Sequence, residues 1–506
     1  MKKLTILLSL LLSVSAFAQT EKKSETPVKD HLQNHFKMYG FIRNYFVYDS
    51  RESVSGTADL FYYLPKDVSI VNKGTEYEMD KNAEASFRFL ALTSRLGVDV
   101  SGYHIGNVHF GAKFEGDFYS GLSSVDDVKN PGVKTWFPAN TKIMGTAAAR
   151  LRQAYATITW KDLPMCKDQK ASVGLKIGQA WHPMAADMPH VFSLEAGAPF
   201  GPFSRTPQVT MDASLGNNWV LSAAAIWQMQ YQSAGPVGTS AIYMKYGKTP
   251  EVYLGLTYKH KNFLARAGAD LVSIKPRVFG TKTVATPTDE KPDATTSYTV
   301  RVSDRKTSLL YYLYAQYSYK SFAIKAKTTY GEGGEHMNLM SGYAKVGENP
   351  DGSWEYASLR NSSSWLSMTV GKKFQGVLYL GYVKNLGLAK DLGRPLISST
   401  NADNEAPEVY FCSNGFSNIN QMYRINPQFI YNIGKLNVGI EYQWTAVQYG
   451  DYKSIKRLGG DDYLQPIKNK EGKDVVDKCL NGKGLAVDNL HWVGNHRVNL
   501  MVKFNF

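Results

Sequence analysis

Apolar and polar residues alternate with a period of two along most of this chain. In 435–447, Leu436, Val438, Ile440, Tyr442 and Trp444 share one face, and Asn437, Glu441, Gln443 and Thr445 share the other. In 106–118, Val108, Phe110, Ala112, Phe114 and Phe118 oppose His109, Lys113, Glu115 and Asp117. In 491–506, Val498, Leu500, Val502, Phe504 and Phe506 oppose Asn495, Arg497, Asn499 and Lys503. Such a period marks a strand with one apolar and one polar side. Similar segments recur at 38–50, 86–101, 106–118, 150–161, 171–180, 205–216, 217–229, 251–260, 263–275, 308–320, 321–331, 362–373, 376–384, 421–432, 435–447 and 491–506. The pattern predicts sixteen strands, with the weakest alternation at 205–216 and 362–373.

The connections sharpen this. Long ones fall at 51–85, 119–149, 181–204, 230–250, 276–307, 332–361, 385–420 and 448–490. Short ones lie between them, such as Lys261-Asn262, Lys320-Ser321 and Ile433-Gly434. Long and short alternate without exception. Structureless loops beyond about 15 residues are uncommon in a compact soluble domain. A transmembrane antiparallel β-barrel instead predicts an even strand number, short turns on one rim and long loops on the other. Hydrocarbon outside requires the apolar face, and the polar face implies water inside. Sixteen strands enclose an aqueous channel rather than a packed core. Tyr48, Tyr103, Trp160, Tyr258, Tyr317, Tyr319, Tyr431 and Trp492 sit near predicted strand ends, where barrels carry aromatic girdles.

The start of the chain adds an address. Lys2 and Lys3 precede the apolar run Leu4 to Ala16, and Ala16-Phe17-Ala18 has the small-residue cleavage pattern. This order predicts a secretory signal over 1–18, cut between Ala18 and Gln19. A short segment, 19–37, and a barrel domain, 38–506, follow. With both ends beside the short turns, both termini are expected on the periplasmic side of a Gram-negative outer membrane. The net charge of +14 falls to +12 once Lys2 and Lys3 leave. A basic balance suits nucleic acid, anionic lipid or anionic solutes. Export disfavours nucleic acid. Three cysteines, Cys166, Cys412 and Cys479, match no zinc or redox spacing, although Cys412 and Cys479 could pair between two long loops.

Five further features carry a resemblance. Phe506 ends an alternating strand, which resembles the carboxy-terminal aromatic signature read by the barrel assembly machinery. Ser94-Arg95-Leu96-Gly97, Arg150-Leu151-Arg152-Gln153-Ala154-Tyr155 and Gly178-Gln179-Ala180-Trp181 appear in order, followed by Arg205-Thr206-Pro207-Gln208. These resemble the spaced landmarks of DcaP-type trimeric porins, a group related to the phosphate-selective porins. The match covers roughly 38–230 well and the remainder by architecture only. It implies a homotrimer, a loop after the fifth strand folded into the pore, and a preference for anionic solutes. The long coiled coil such porins can carry has no counterpart in 19–37.

Candidate transport residues follow from parity and from this resemblance. Parity directs Arg95, Lys113, Arg150, Arg152, Lys176, Lys259, Arg266, Lys325, Lys327, Arg424, Arg497 and Lys503 inward. Fewer acids join them: Asp99, Glu115, Asp117, Asp270 and Glu441. Rings of Lys and Arg favour anions. Arg95, Lys113, Arg150 and Arg152 are expected at the constriction. Arg205 matches a landmark, though simple parity points it outward. The third long loop, 181–204, would supply the opposing wall through His182, Asp187, His190 and Glu195. His182, Asp187 and His190 fit no metal spacing, and neither a metal nor a cofactor is expected. The alternatives are a surface-binding barrel that uses its long loops, or an outer-membrane enzyme. The latter lacks an ordered Ser/His/acid set.

Overall fold

The computed structural model describes residues 35–56, 61–91, 93–120, 125–127, 130–135, 147–164, 170–399, 408–411, 418–456, 466, 468–469 and 471–506. The signal and its Ala18–Gln19 junction, Cys166 and Cys412 lie outside the described residues.

Sixteen antiparallel strands close into one barrel. They are β1 Phe36–Asp49, β2 Arg95–Ile105 with its upper piece Ser86–Leu90, β3 Val108–Ser120 and β4 Ala147–Pro164. Next come β5 Lys170–Trp181, β6 Arg205–Leu215, β7 Trp219–Ile226, β8 Glu251–His260 and β9 Phe263–Ile274. The ring continues with β10 Lys306–Tyr319, β11 Phe322–Glu332, β12 Trp354–Gly371 and β13 Phe374–Leu388. It ends with β14 Ile419–Ile433, β15 Leu436–Asp451 and β16 Asp488–Asn505. β16 pairs with β1 in the register Phe41↔Asn505 to Asp49↔Arg497, so no edge stays open. An open edge would leave backbone groups without partners in hydrocarbon. The Phe506 amide donates to the Gly40 carbonyl at 3.1 Å, fastening the last residue to the first strand.

The two poorly alternating segments form strands too. Their alternation is blurred by residues that loops cover from inside. β12 begins at Trp354, earlier than 362, because the loop strand Gly342–Glu348 pairs with its upper end. β2 is broken where the pattern predicts one run: Arg43 sits opposite the break and bonds Thr93 and Ser94. The barrel begins at Phe36, so the last residues of 19–37 already belong to the wall.

Burial is inverted relative to a water-soluble protein. Phe114, Ile440 and Leu500 are 53%, 46% and 46% exposed, whereas Asp117, Glu441 and Arg497 are 5%, 0% and 3% exposed. An apolar wall facing outward is stable only against lipid, because patches beyond a few hundred Å² are rare on soluble monomers. Several long loops carry their own structure. Phe279–Ala285 and Thr295–Arg301 form a hairpin, and strand Leu396–Ser399 joins Val476–Leu480 and Lys453–Lys456 from a different loop. Buried Cys479 lies in that second strand.

Candidate functional site: a basic lumen crossed by a tethered loop

The loop 182–204, L3, connects β5 to β6 and is fastened to inward-pointing side chains all round the wall. The Lys327 ammonium on β11 donates to the carbonyls of Met184 and Asp187 at 2.7 and 2.6 Å. Arg266 on β9 meets the Asp187 carboxylate at 2.6 Å. Further along, the His190 amide donates to Ser367 Oγ on β12, and its carbonyl accepts from Gln428 on β14. The Phe192 amide donates to Glu441 on β15, and Tyr45 on β1 donates to the Phe192 carbonyl. Glu195 receives Arg424 and Arg497, at 3.4 and 3.2 Å. A segment whose partners lie on β1, β9, β11, β12, β14, β15 and β16 crosses the interior. Its apolar side chains Met184, Phe200 and Phe203 pack with Trp365 and Tyr379 of the wall. Two more loops add to this inner layer. The Tyr63 and Tyr62 carbonyls accept from Arg424 and Arg497, and the Met337 carbonyl accepts from the Phe203 amide.

The predicted basic wall divides into paired and unpaired cations. Arg152 bridges Glu115 and Asp117 at 2.8 and 2.7 Å, and Arg150 binds Asp117 through two parallel bonds. Arg150 and Arg152 share the inner face by alternation, and a β-bulge between Leu151 and Gln153 brings Gln153 to that side as well, 3.4 Å from Glu115; such bulges re-aim side chains. Arg95 reaches Glu115 at 3.6 Å, and Lys113 pairs with Asp99. Arg497 also binds Asp49 at 2.7 Å. These charges are largely neutralised in place. Arg205 corrects the parity argument. It is buried, not lipid-facing, because Gln230 of the next loop accepts from both its backbone amide and its Nε. The guanidiniums of Arg205 and Arg152 both stand over the Trp181 ring, 5.1 and 5.6 Å from its centre.

The unpaired set is different. Among the described residues, no carboxylate lies within ion-pair distance of the inward strand cations Arg43, Lys176, Lys325, Lys327 and Lys503. Arg43, Arg95 and Lys503 gather around one inward ring, Phe41, at 4.8, 5.0 and 5.1 Å from its centre. Cations on a ring face are attracted by its quadrupole, which offsets part of their mutual repulsion. His190 of L3 belongs to the same region. Burial, then Lys325 and Lys503, hold its imidazole below the usual histidine range. On the opposite side, a cavity of about 410 Å³ opens between L3 and β4 to β10, with Lys176, Arg266, Gln153, Tyr155 and Asp212 in its lining.

The alternation reading omitted Arg43 and Phe41. Odd parity on β1 would have found them, but Tyr45 and Val47 share that face and are apolar because L3 packs there. It also omitted His336, whose loop turn has no strand period. His182, Asp187 and His190 do not converge. His182 bonds Glu251, Asp187 bonds Arg266, and His190 bonds Ser367.

Solved structures share this architecture. The outer membrane channel DcaP of Acinetobacter baumannii aligns over 93% of this chain and 97% of its own, at 16% identity and a TM-score of 0.51. An anion-selective porin from Comamonas acidovorans aligns over 93% and 99%, more distantly, at 8% identity and a TM-score of 0.43. No family model matches, and neither does any curated protein. At such identities the likeness is one of fold: this chain has the closed sixteen-stranded barrel found in outer-membrane porins.

Proposed function

We propose that the chain is a passive outer-membrane channel preferring small anionic solutes such as carboxylates or phosphate. One observation carries this reading. The wall cations Arg43, Lys176, Arg205, Lys259, Lys325, Lys327 and Lys503 lack an acidic partner among the described residues, while the inward acids without a Lys or Arg partner are fewer, among them Asp212, Glu251, Asp270 and Glu441. Surplus positive charge in a low-dielectric cleft focuses the field on the passing solute. L3 forms the narrow part, with Lys325, His190, Arg43 and Lys503 on one side and Lys176 on the other. The Arg43 guanidinium among them can grip a carboxylate or phosphate through paired hydrogen bonds.

Localisation belongs to the same reading. The exposed apolar wall calls for outer-membrane lipid, and Phe506 suits recognition by the barrel assembly machinery. The short-turn rim, where β1 begins and β16 ends, faces the periplasm. The landmarks shared with DcaP-type porins support a homotrimer. Reversal potentials in planar bilayers under a KCl gradient test the function. Anion preference is expected, and cation preference overturns the reading.

A further inference from the structure

Where L3 leaves the wall, four ionisable side chains meet in the interior. Glu251 opens β8, Asp270 lies on neighbouring β9 opposite Tyr253, His182 begins L3, and His336 sits in the short turn 335–337 after β11. All four are buried, none more than 3% exposed. His182 Nε2 lies 2.6 Å from Glu251 and 3.6 Å from Asp270. His336 Nε2 lies 3.2 Å from Glu251 and 3.8 Å from Asp270. We propose that this cluster binds one divalent transition ion, zinc by its donor set, which ties the root of L3 to the barrel wall and to the 335–337 turn.

Three observations support the site. First, the donors are under-used. Glu251 Oε2, Asp270 Oδ1 and His336 Nδ1 are buried without a hydrogen-bond partner, and His336 Nε2 meets Glu251 at 3.2 Å without forming a hydrogen bond. Buried polar atoms are rarely left so. Second, the spacing suits a small ion. Donors at about 2.0–2.1 Å from a tetrahedral zinc stand roughly 3.3 Å apart, inside the spread of the four distances above. The donor atoms of His182, Glu251 and Asp270 all fall within 4.8 Å of one another. Third, the charge balances. Two buried carboxylates need compensation, and a dication between them leaves the cluster neutral. Lys306, on the adjacent strand, is taken by Glu335 at 3.3 Å. Two imidazoles with two carboxylates favour zinc over calcium or magnesium, which collect oxygen donors.

The fourth ligand carries a cost. His182 Nδ1 now accepts from the Met184 amide at 3.2 Å. Ligation through Nε2 moves the ring proton to Nδ1, so that amide must find another partner. The competing occupant is protons. Burial disfavours charged imidazoles here, but Glu251 and Asp270 outweigh it and raise both His336 and His182 above the usual histidine range. An ion and a fully protonated His336 exclude each other.

The test uses the full-length protein extracted from membranes and purified without chelator. Elemental analysis should find about one zinc per chain. After chelation, cobalt(II) should restore a tetrahedral visible spectrum, and added zinc should bleach it. His336→Ala and Asp270→Asn should each lose the ion while keeping the heat-modifiable gel mobility of a closed barrel. The inference fails if the wild type holds less than about a tenth of an ion per chain and gives no cobalt spectrum. It fails equally if both variants retain metal at the wild-type level. Neither result bears on anion preference, which reversal potentials read independently.

Discussion

Replacing Lys503 by Gln tests where selectivity originates. Lys503 pairs in register with Arg43 and stands 5.1 Å from the centre of the Phe41 ring, with no carboxylate in ion-pair reach among the described residues. Its removal breaks no salt bridge, so the barrel should persist. At about 7 Å in water, one unit charge attracts a univalent anion by roughly 0.6 kcal/mol and repels a cation equally. That is about one RT for each ion, or roughly a sevenfold change in their permeability ratio without screening. At 0.1 M salt the Debye length is about 10 Å, which halves the energy and leaves about a threefold change. At 1 M the length falls to about 3 Å and the difference should vanish. Reversal potentials of wild type and Lys503→Gln under a fixed gradient, at both salt levels, measure this directly. Arg43→Gln should behave alike, and Lys503→Glu should shift the ratio about twice as far in free energy. An unchanged ratio at low salt would refute the assignment. So would an equal shift at 1 M, since that points to altered pore shape rather than charge.

Other consequences are open to measurement. Glu195→Gln leaves Arg424 and Arg497 buried without their shared carboxylate; a loss of about 3 kcal/mol is expected in urea unfolding from detergent, with faster protease cutting in L3. His190 is held below the usual histidine range by burial and by Lys325 and Lys503, with Ser367 and Gln428 bonded to its backbone. Its contribution to stability is therefore present above about pH 6.5 and lost as the pH falls. Anion preference should rise only on acidification below that point, and His190→Gln should remove the rise. Deleting Phe506 removes the bonds to Gly40 and should sharply lower the heat-modifiable, membrane-inserted fraction.

The barrel was legible because its physics is local. A strand between lipid and water must alternate, and each alternation reports its own position whatever its partners are. Loop lengths then fixed the count, even where Arg205–Leu215 alternates poorly. The lumen was less legible, since parity gives the direction of a side chain but not what covers it. Arg205 has outward parity yet is buried by Gln230. Tyr45 and Val47 have inward parity yet are apolar, because L3 rests on them. The cluster of His182, Glu251, Asp270 and His336 joins residues from four separate segments, and no spacing rule connects them. Pairing was the largest omission. A count of inward cations overstates the field when Arg150, Arg152 and Arg497 already hold carboxylates.

That pairing has a direction. The acids of L3 are spent on the wall: Asp187 on Arg266, Glu195 on Arg424 and Arg497. The loop is therefore a counterion as well as a constriction. Where it touches the wall, cations are consumed in holding it, and the passing solute sees little of their charge. Cations that reach the water are those to which L3 presents no acid, on β1, β5, β11 and β16. Narrowing and selectivity are thus carried by different residues. Removing an L3 acid releases the loop and at the same time exposes the guanidiniums it covered. The expected phenotype is a wider channel with a stronger anion preference. A loop that merely plugged the pore would instead lose selectivity as it opened.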